Sequence, residues 1–477
     1  MENLIDIVGG GLAGSEAALQ LASRGVHVRL IEMRPVVQTP VHTGEGFAEL
    51  VCSNSLKSTK PDSAAGMLKT ELAMLSSQVF ACAQRCAVPA GGALAVDRDQ
   101  LSACVTKAIE DNPLIEVVRA EARGISAAGK VLVCRSGQED SDELPGVPDA
   151  IILASGPLTS DALATSLQAI TGKQHLAFYD AAAPIVMADS LDYDKLFIQS
   201  RYEDEGIGDY LNAPFSREAY DEFIEALLAA DRVIAKDFET RELFQACQPI
   251  EEIARKGHDA PRFGTLKPVG LIDPHTGCRP WAALQLRAED AQGASYNLVG
   301  FQTNLTFSEQ RRVFGMIPGL QQADFARYGV MHRNTFIDAP HLLGSNLQLV
   351  GSAAQGVPTA MFVAGQLSGT EGYCEAIASG LFAALFVYAL VAGVPLPDTP
   401  RTTAFGALLA YATDSEQVKD YQPMHVNFGI MEPLEVPVKN KRNRYAAYAQ
   451  RGTEAMRAYC DTLRDLDILA RGDEAGG

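Results

Sequence analysis

The feature that most constrains this chain is Gly9-Gly10-Gly11-Leu12-Ala13-Gly14, a GxGxxG run with Gly9, Gly11 and Gly14 in its three glycine positions. It follows Leu4–Val8, an apolar run too short for a helix, and leads into a helical pattern with Ala17, Leu21 and Ala22 on one face. Arg24-Gly25 closes that helix, and His27–Ile31 reads as a second strand ending in Glu32. The first glycine permits a tight turn, the second lets backbone approach a pyrophosphate, and the third allows close helix–strand packing. The helix start offers unpaired N–H groups and partial positive charge to phosphates. Glu32 sits 18 residues after Gly14, where an acid accepts hydrogen bonds from ribose hydroxyls. An acid there suits FAD or NAD and disfavours a 2′-phosphate, and the position at the start of the chain favours FAD. The candidate cofactor residues here are Gly9, Gly10, Gly11, Leu12, Ala13, Gly14, Glu32 and Arg34.

A second segment reads the same way. Leu347–Val350 and Ala360–Val363 are strand-like, and the latter runs into Ala364-Gly365-Gln366-Leu367-Ser368-Gly369-Thr370-Glu371-Gly372 before a helix over Glu375–Val391. A strand followed by a glycine-rich helix entry presents backbone N–H groups to a flavin or its phosphates. Ala364, Gly365, Gln366, Gly369 and Gly372 join the candidate set. Asp97 reads as an N-cap for a helix with Leu101, Cys104, Val105 and Ala108 on its apolar face, which makes Cys104 a packing residue.

The expected class is α/β. A Rossmann-like, glutathione-reductase-like FAD-binding domain (residues 1–158 and 331–395) carries an inserted α+β domain (159–330) and a helical C-terminal part (396–477). With 40 Lys+Arg against 59 Asp+Glu, the net charge is −19, which argues against indiscriminate polyanion binding. Nine cysteines, no CxxC pair and no secretory pattern point to reduced thiols, no metal site and a cytoplasmic protein without membrane segments.

One segment is not a generic loop: AELVCSNSLKS (Ala48–Ser58) sets Cys52 among Ser and Asn, close after the flavin-binding acid, with Lys57 nearby to stabilise a thiolate. Taken alone, a single cysteine is more often a small buried hydrophobe. With ASGPLTS (Ala154–Ser160), YLNAPF (Tyr210–Phe215), CQPIE (Cys247–Glu251), LKPVGL (Leu266–Leu271), NLVGFQTNL (Asn297–Leu305), RYGVMHRNTFI (Arg327–Ile337) and AGQLSGTEGY (Ala364–Tyr373), the chain resembles the folate- and FAD-dependent tRNA (uracil-5-)-methyltransferases, TrmFO, relatives of the GidA flavoproteins. The resemblance runs from Ile5 to about Phe428.

It implies methyl transfer to C5 of a uridine in the tRNA T-loop, at position 54. The carbon comes from 5,10-methylenetetrahydrofolate and the electrons from reduced FAD regenerated by NAD(P)H. Two thiols match the family's positions, Cys52 and Cys247. One attacks C6 of uracil; the other serves as acid/base or protects the activated flavin–methylene species. His332, Arg333 and Asn334 are candidate folate contacts, with His42 as a further histidine. Lys439, Lys441, Arg442 and Arg444, with Arg451 and interleaved Tyr445 and Tyr448, are the candidate tRNA contacts, and Arg255, Lys256, Arg262 and Lys267 form a second basic set. No stable protein partner is expected. The alternatives are the same chemistry on a ribosomal RNA uridine, the longer wobble-uridine enzymes, a flavin-dependent NAD(P)H oxidoreductase, and a non-catalytic flavin-carrying RNA-binding module.

Overall fold

In a computed structural model, residues 3–39, 41–172, 176–203, 208–234, 248–350, 356–416, 418 and 421–469 are described. Cys247 lies outside them. Five parallel strands form the central sheet: β1 (Leu4–Val8), β2 (His27–Glu32), β3 (Ile115–Arg119), β4 (Ala150–Leu153) and β5 (Ala360–Val363), in the order β5-β4-β1-β2-β3. β1 and β4 are apolar on both sides because both faces of the sheet are buried, as parallel strands require. The polar exception pairs in register: Asp6 on β1 lies opposite Arg29 on β2, and the two carboxylate oxygens accept from the guanidinium at 2.7 and 2.8 Å. The strand order reverses at β1, so the crevice between the carboxyl ends of β1 and β4 is the natural ligand position.

Helix α1 (Leu12–Ala22) follows β1 directly and is buried along its whole length. It lies against α2 (Tyr373–Ala392), which is long and apolar enough to span a bilayer, yet 72% of its most apolar window is buried inside the fold. The two backbones touch at Gly380, where any Cβ would collide with the Ala13 carbonyl. Leu347–Val350, expected as a strand, makes only isolated bridges, Leu349 to Leu343 and Gln348 to Phe362.

The chain enters the second domain through strand Leu176–Ala181 and returns through Met331–Phe336, paired antiparallel side by side. Between them lies a six-stranded sheet, including Tyr210–Phe215 and Ala282–Ala288, packed by helices such as Arg217–Ala229 around Phe215, Tyr220, Phe223, Phe301 and Phe314. The boundary expected at 159 falls later. Helix Asp161–Thr171 buries Leu163 and Leu167 in the first core, because its apolar face covers strand Glu121–Ile125. The C-terminal part is likewise continuous with that core. Helix α3 (Lys441–Asp465) inserts Met456, Tyr459, Cys460 and Leu463 into it, beside helix Ala64–Met74.

Glu71, on Ala64–Met74, ties the C-terminal part down by accepting from the N–H groups of Ala404 and Phe405 at 2.6 and 3.0 Å, at the start of helix Ala404–Thr413. Burial pushes its pKa up to about 8, against the two hydrogen bonds that lower it. The folded chain therefore holds this proton more tightly than the unfolded chain, whose carboxyl has the ordinary value of 4.5. Stability from this group is full below pH 4.5 and is lost as pH rises toward 8. Urea midpoints should fall across that window, and Glu71→Gln should lower the acid-side midpoint while flattening the decline.

Candidate functional site

A cavity of about 390 Å³ opens at the carboxyl ends of β1, β2 and β4. The turn Gly9–Ala13 forms one wall, and its glycines differ in what they answer to. A Cβ on Gly9 would strike the Ala154 carbonyl at the end of β4, and one on Gly14 the carbonyl of Gly9. Gly11 differs. Its φ of −74° is open to any residue, and a Cβ there would meet no atom within 4 Å. Neither backbone nor neighbours in this chain demand glycine at that point; the space lies at the start of α1, where a pyrophosphate would approach.

Glu32 ends β2 at the cavity. It accepts from the Gly10 N–H at 2.8 Å and from the Arg34 N–H and Nε at 3.0 and 2.9 Å. Burial opposes its charge, but Arg34 and these hydrogen bonds hold its carboxyl below the ordinary range. Arg34, 2% exposed, reaches on to Glu49 at 2.8 Å, so its role is to brace the acid and the following loop. His42 also lines the cavity. Burial first, then Arg34, lowers its pKa to about 4, which leaves a neutral imidazole near pH 7, within 2.6 Å of the Thr39 hydroxyl.

The second loop contributes Gly365, Gln366 and Gly372 to the lining, whereas Gly14, Ala364 and Gly369 do not reach it. Gly369 packs beneath the Tyr421 hydroxyl. Gln366 Nε2 and Glu375 Oε2 are buried with no hydrogen-bond partner among the described residues. A donor and an acceptor left so on a cavity rim fit a polar ring system such as a flavin.

Cys52 is on this cavity's lining, held by contacts that no local pattern announces. The Tyr373 hydroxyl, at the first residue of α2, accepts from the N–H groups of Cys52 and Ser53 at 3.0 and 3.1 Å. Three arginines bracket the loop. Arg98 donates to the carbonyls of Leu50 and Cys52, and Arg327 to those of Val41 and Val51. Arg287 donates to the Asn54 side chain at 2.8 Å and to the Ser53 hydroxyl at 3.1 Å. Arg98 and Arg327 thus bring two guanidinium groups against the backbone of the Cys52 loop. Lys57, expected to serve the thiol, is paired instead with Glu375 at 3.3 Å. Burial works against its charge, but Glu375 and Glu371 outweigh it and raise its pKa.

Asn334 is buried on the cavity wall; His332 and Arg333 share its strand, and their side chains lie outside the described ones. The basic run opens α3. Lys439, Lys441 and Arg442 are exposed, and Lys441 and Arg444 lie over the Tyr445 ring. Arg451 is not available there, since it donates to the carbonyls of Glu432 and Pro433. Of the second basic set, Arg262 stacks 3.5 Å above Trp281, Arg255 faces Glu252 and Lys256 bonds Gln248. Tyr445 and Tyr448 pack on Phe428, whose segment reaches the cavity through Val426 N–H to Glu375. No cluster of three or more His, Cys, Asp or Glu suited to a metal occurs among the described residues.

The family described as Glucose inhibited division protein A matches residues 4–395. A protein of Geobacter sulfurreducens named Methylenetetrahydrofolate--tRNA-(uracil-5-)-methyltransferase TrmFO is 50% identical over 93% of this chain and 96% of its own. The Bacillus licheniformis protein of that name is 46% identical over 97% of this chain and 100% of its own. Among solved structures, Aquifex aeolicus GidA superposes with a TM-score of 0.70 at 15% identity, covering 99% of this chain and 77% of that one.

Gly11→Val should leave the cofactor-free fold as stable as before, because the added atoms enter open space. It should weaken FAD binding by roughly a hundredfold, about 2.7 kcal/mol. Flavin fluorescence titration beside thermal melts reads both.

Proposed function

We propose that this chain, which belongs to the Glucose inhibited division protein A family and within it to the TrmFO group, is a folate- and FAD-dependent methyltransferase that makes 5-methyluridine in the tRNA T-loop. The observation that carries this reading is Cys52 on the wall of a dinucleotide cavity, with Tyr373 of the second cofactor loop holding its backbone. Gly9–Ala13, Glu32, Gly365 and Gln366 would hold FAD, which when bound would supply the electrons for reducing a methylene to a methyl group. 5,10-Methylenetetrahydrofolate supplies the carbon, NAD(P)H the reducing equivalents, and Asn334 with its strand the folate contacts. Such substrates place the enzyme in the cytoplasm.

The two thiols divide the work. Uracil C5 is a poor nucleophile until a thiolate adds to C6, and the C5 proton must later leave. Cys52 and Cys247 share these two roles: one adds to C6 and the other is the acid/base that takes this proton. The target uridine leaves its stack to reach the cavity.

The test combines a T-loop RNA, methylenetetrahydrofolate labelled in its methylene carbon, and NAD(P)H. Label is expected in the uridine methyl group and not with S-adenosylmethionine as donor; the reverse overturns the reading, and a ribosomal RNA fragment run in parallel separates the two RNA targets. Cys52→Ser should lower turnover by roughly 10²–10⁴-fold. With 5-fluorouridine RNA, which has no C5 proton to lose, Cys52→Ser and Cys247→Ser should differ. The variant lacking the thiol that takes the proton should still form the covalent adduct and the one lacking the thiol that attacks C6 should not, which assigns the two roles.

Despite the net charge of −19, the local basic run at Lys439, Lys441, Arg442 and Arg444 supplies phosphate contacts. Lys441→Glu with Arg442→Glu should weaken tRNA binding and make its log–log salt slope shallower by about 2, with FAD still bound. Unchanged tRNA affinity removes this patch from the interface.

A further inference from the structure

A second group of thiols lies away from the cavity. Helix Gln78–Arg85 and helix Arg98–Glu110 pack together, and they bring Cys82 and Cys104 to a sulfur–sulfur distance of 2.7 Å. That is closer than two non-bonded sulfurs rest, and longer than the roughly 2.05 Å of a disulfide. Arg85 Nη2 lies 3.1 Å from Cys82 Sγ and 3.0 Å from Cys104 Sγ, one guanidinium shared by both sulfurs. Cys82 is buried, whereas Cys104 is partly exposed beside the exposed Arg85. Cys104 packs against the core, as the sequence pattern implies, and its half-buried position also sets it at the solvent edge of a dithiol.

We propose that Cys104 and Cys82 form a peroxide-reactive dithiol, a modification site at which a hydroperoxide is reduced and the two thiols become a disulfide. Cys104 is the attacking sulfur because it is the one a small oxidant reaches, and Arg85 stabilises its thiolate. Burial opposes that charge, but Cys82 and Arg85 together hold the Cys104 thiol below its ordinary value, and burial raises Cys82. The thiolate attacks one peroxide oxygen, the O–O bond breaks, and the other oxygen leaves as water or an alcohol after taking a proton. Arg85 is placed to donate an N–H to that leaving oxygen. Cys104, oxidised by two electrons, is then a sulfenic acid. The Cys82 sulfur attacks it, the S–O bond breaks, and hydroxide departs as water with the Cys82 proton. The net change is two thiols and one hydroperoxide to one disulfide, water, and a second water or an alcohol.

The molecule contains its own control in Cys278, an exposed cysteine. The full chain is treated with graded hydrogen peroxide, alkylated and mapped by mass spectrometry. The expected result is a Cys82–Cys104 cross-linked peptide, two hydrogens lighter, appearing before Cys278 is oxidised and reversed by dithiothreitol. Cys104→Ser should abolish the cross-link and leave Cys82 alkylatable. Arg85→Met, a surface change, should slow its formation about tenfold at neutral pH. Oxidation of Cys278 first, a Cys86–Cys104 bridge instead, or an unchanged rate in Arg85→Met overturns the proposal.

Discussion

The backbone contact between α1 and α2 at Ala13 and Gly380 sets the geometry on which the site depends. A side chain at Gly380 would drive the helices apart, and with them the two ends that meet the cavity. α1 begins at the phosphate turn, and α2 begins at Tyr373, which holds the Cys52 loop. Close helix packing of this kind is stiff because protein interiors have little spare volume. The distance between the phosphate end of the cofactor site and the thiol is therefore fixed by a helix–helix contact, not by a flexible loop.

The Cys52 loop is a joint between domains. Arg98 comes from the flavin domain, while Arg287 and Arg327 come from the inserted one, and all of them bond backbone or amide groups of residues 41–54. Arg98 also pairs with Glu289 of the inserted domain, closing a ring of charge around the loop. Charge-assisted bonds of this geometry are stronger than neutral ones and hold direction well. A thiol mounted this way keeps its position relative to both domains at once.

Much of this was legible in advance, for reasons that differ by element. The phosphate turn announces itself because two of its three spaced glycines, Gly9 and Gly14, answer local steric constraints and the third, Gly11, leaves room for a pyrophosphate, and Glu32 follows from strand length. The thiol loop was visible only as an unusual string whose meaning came from resemblance. Its supports, Tyr373, Arg98, Arg287 and Arg327, were not visible, because each contact spans dozens to hundreds of residues and leaves no periodic trace. Lys57 illustrates the failure: adjacency in sequence pointed to Cys52, but its turn, with φ of 66° at Lys57, accompanies a side chain committed to Glu375. Cys104 does pack against the core as helical spacing implies, but that spacing does not tell how far its edge reaches solvent. The C-terminal helices read as a part of their own because their anchor, Glu71, lies more than three hundred residues upstream.

The strand order carries a consequence for how the protein is made. β5 borders β4, and α2 covers α1, yet both are synthesised long after the phosphate turn has left the ribosome. Until Tyr373 emerges, the nascent chain has half a nucleotide cradle with an unpaired sheet edge and an uncovered apolar helix. Such long-range pairing is slow and exposes sticky surface on the way. Cofactor capture is thus postponed to late translation, and the inserted domain, whose two ends lie side by side, is free to mature during the wait.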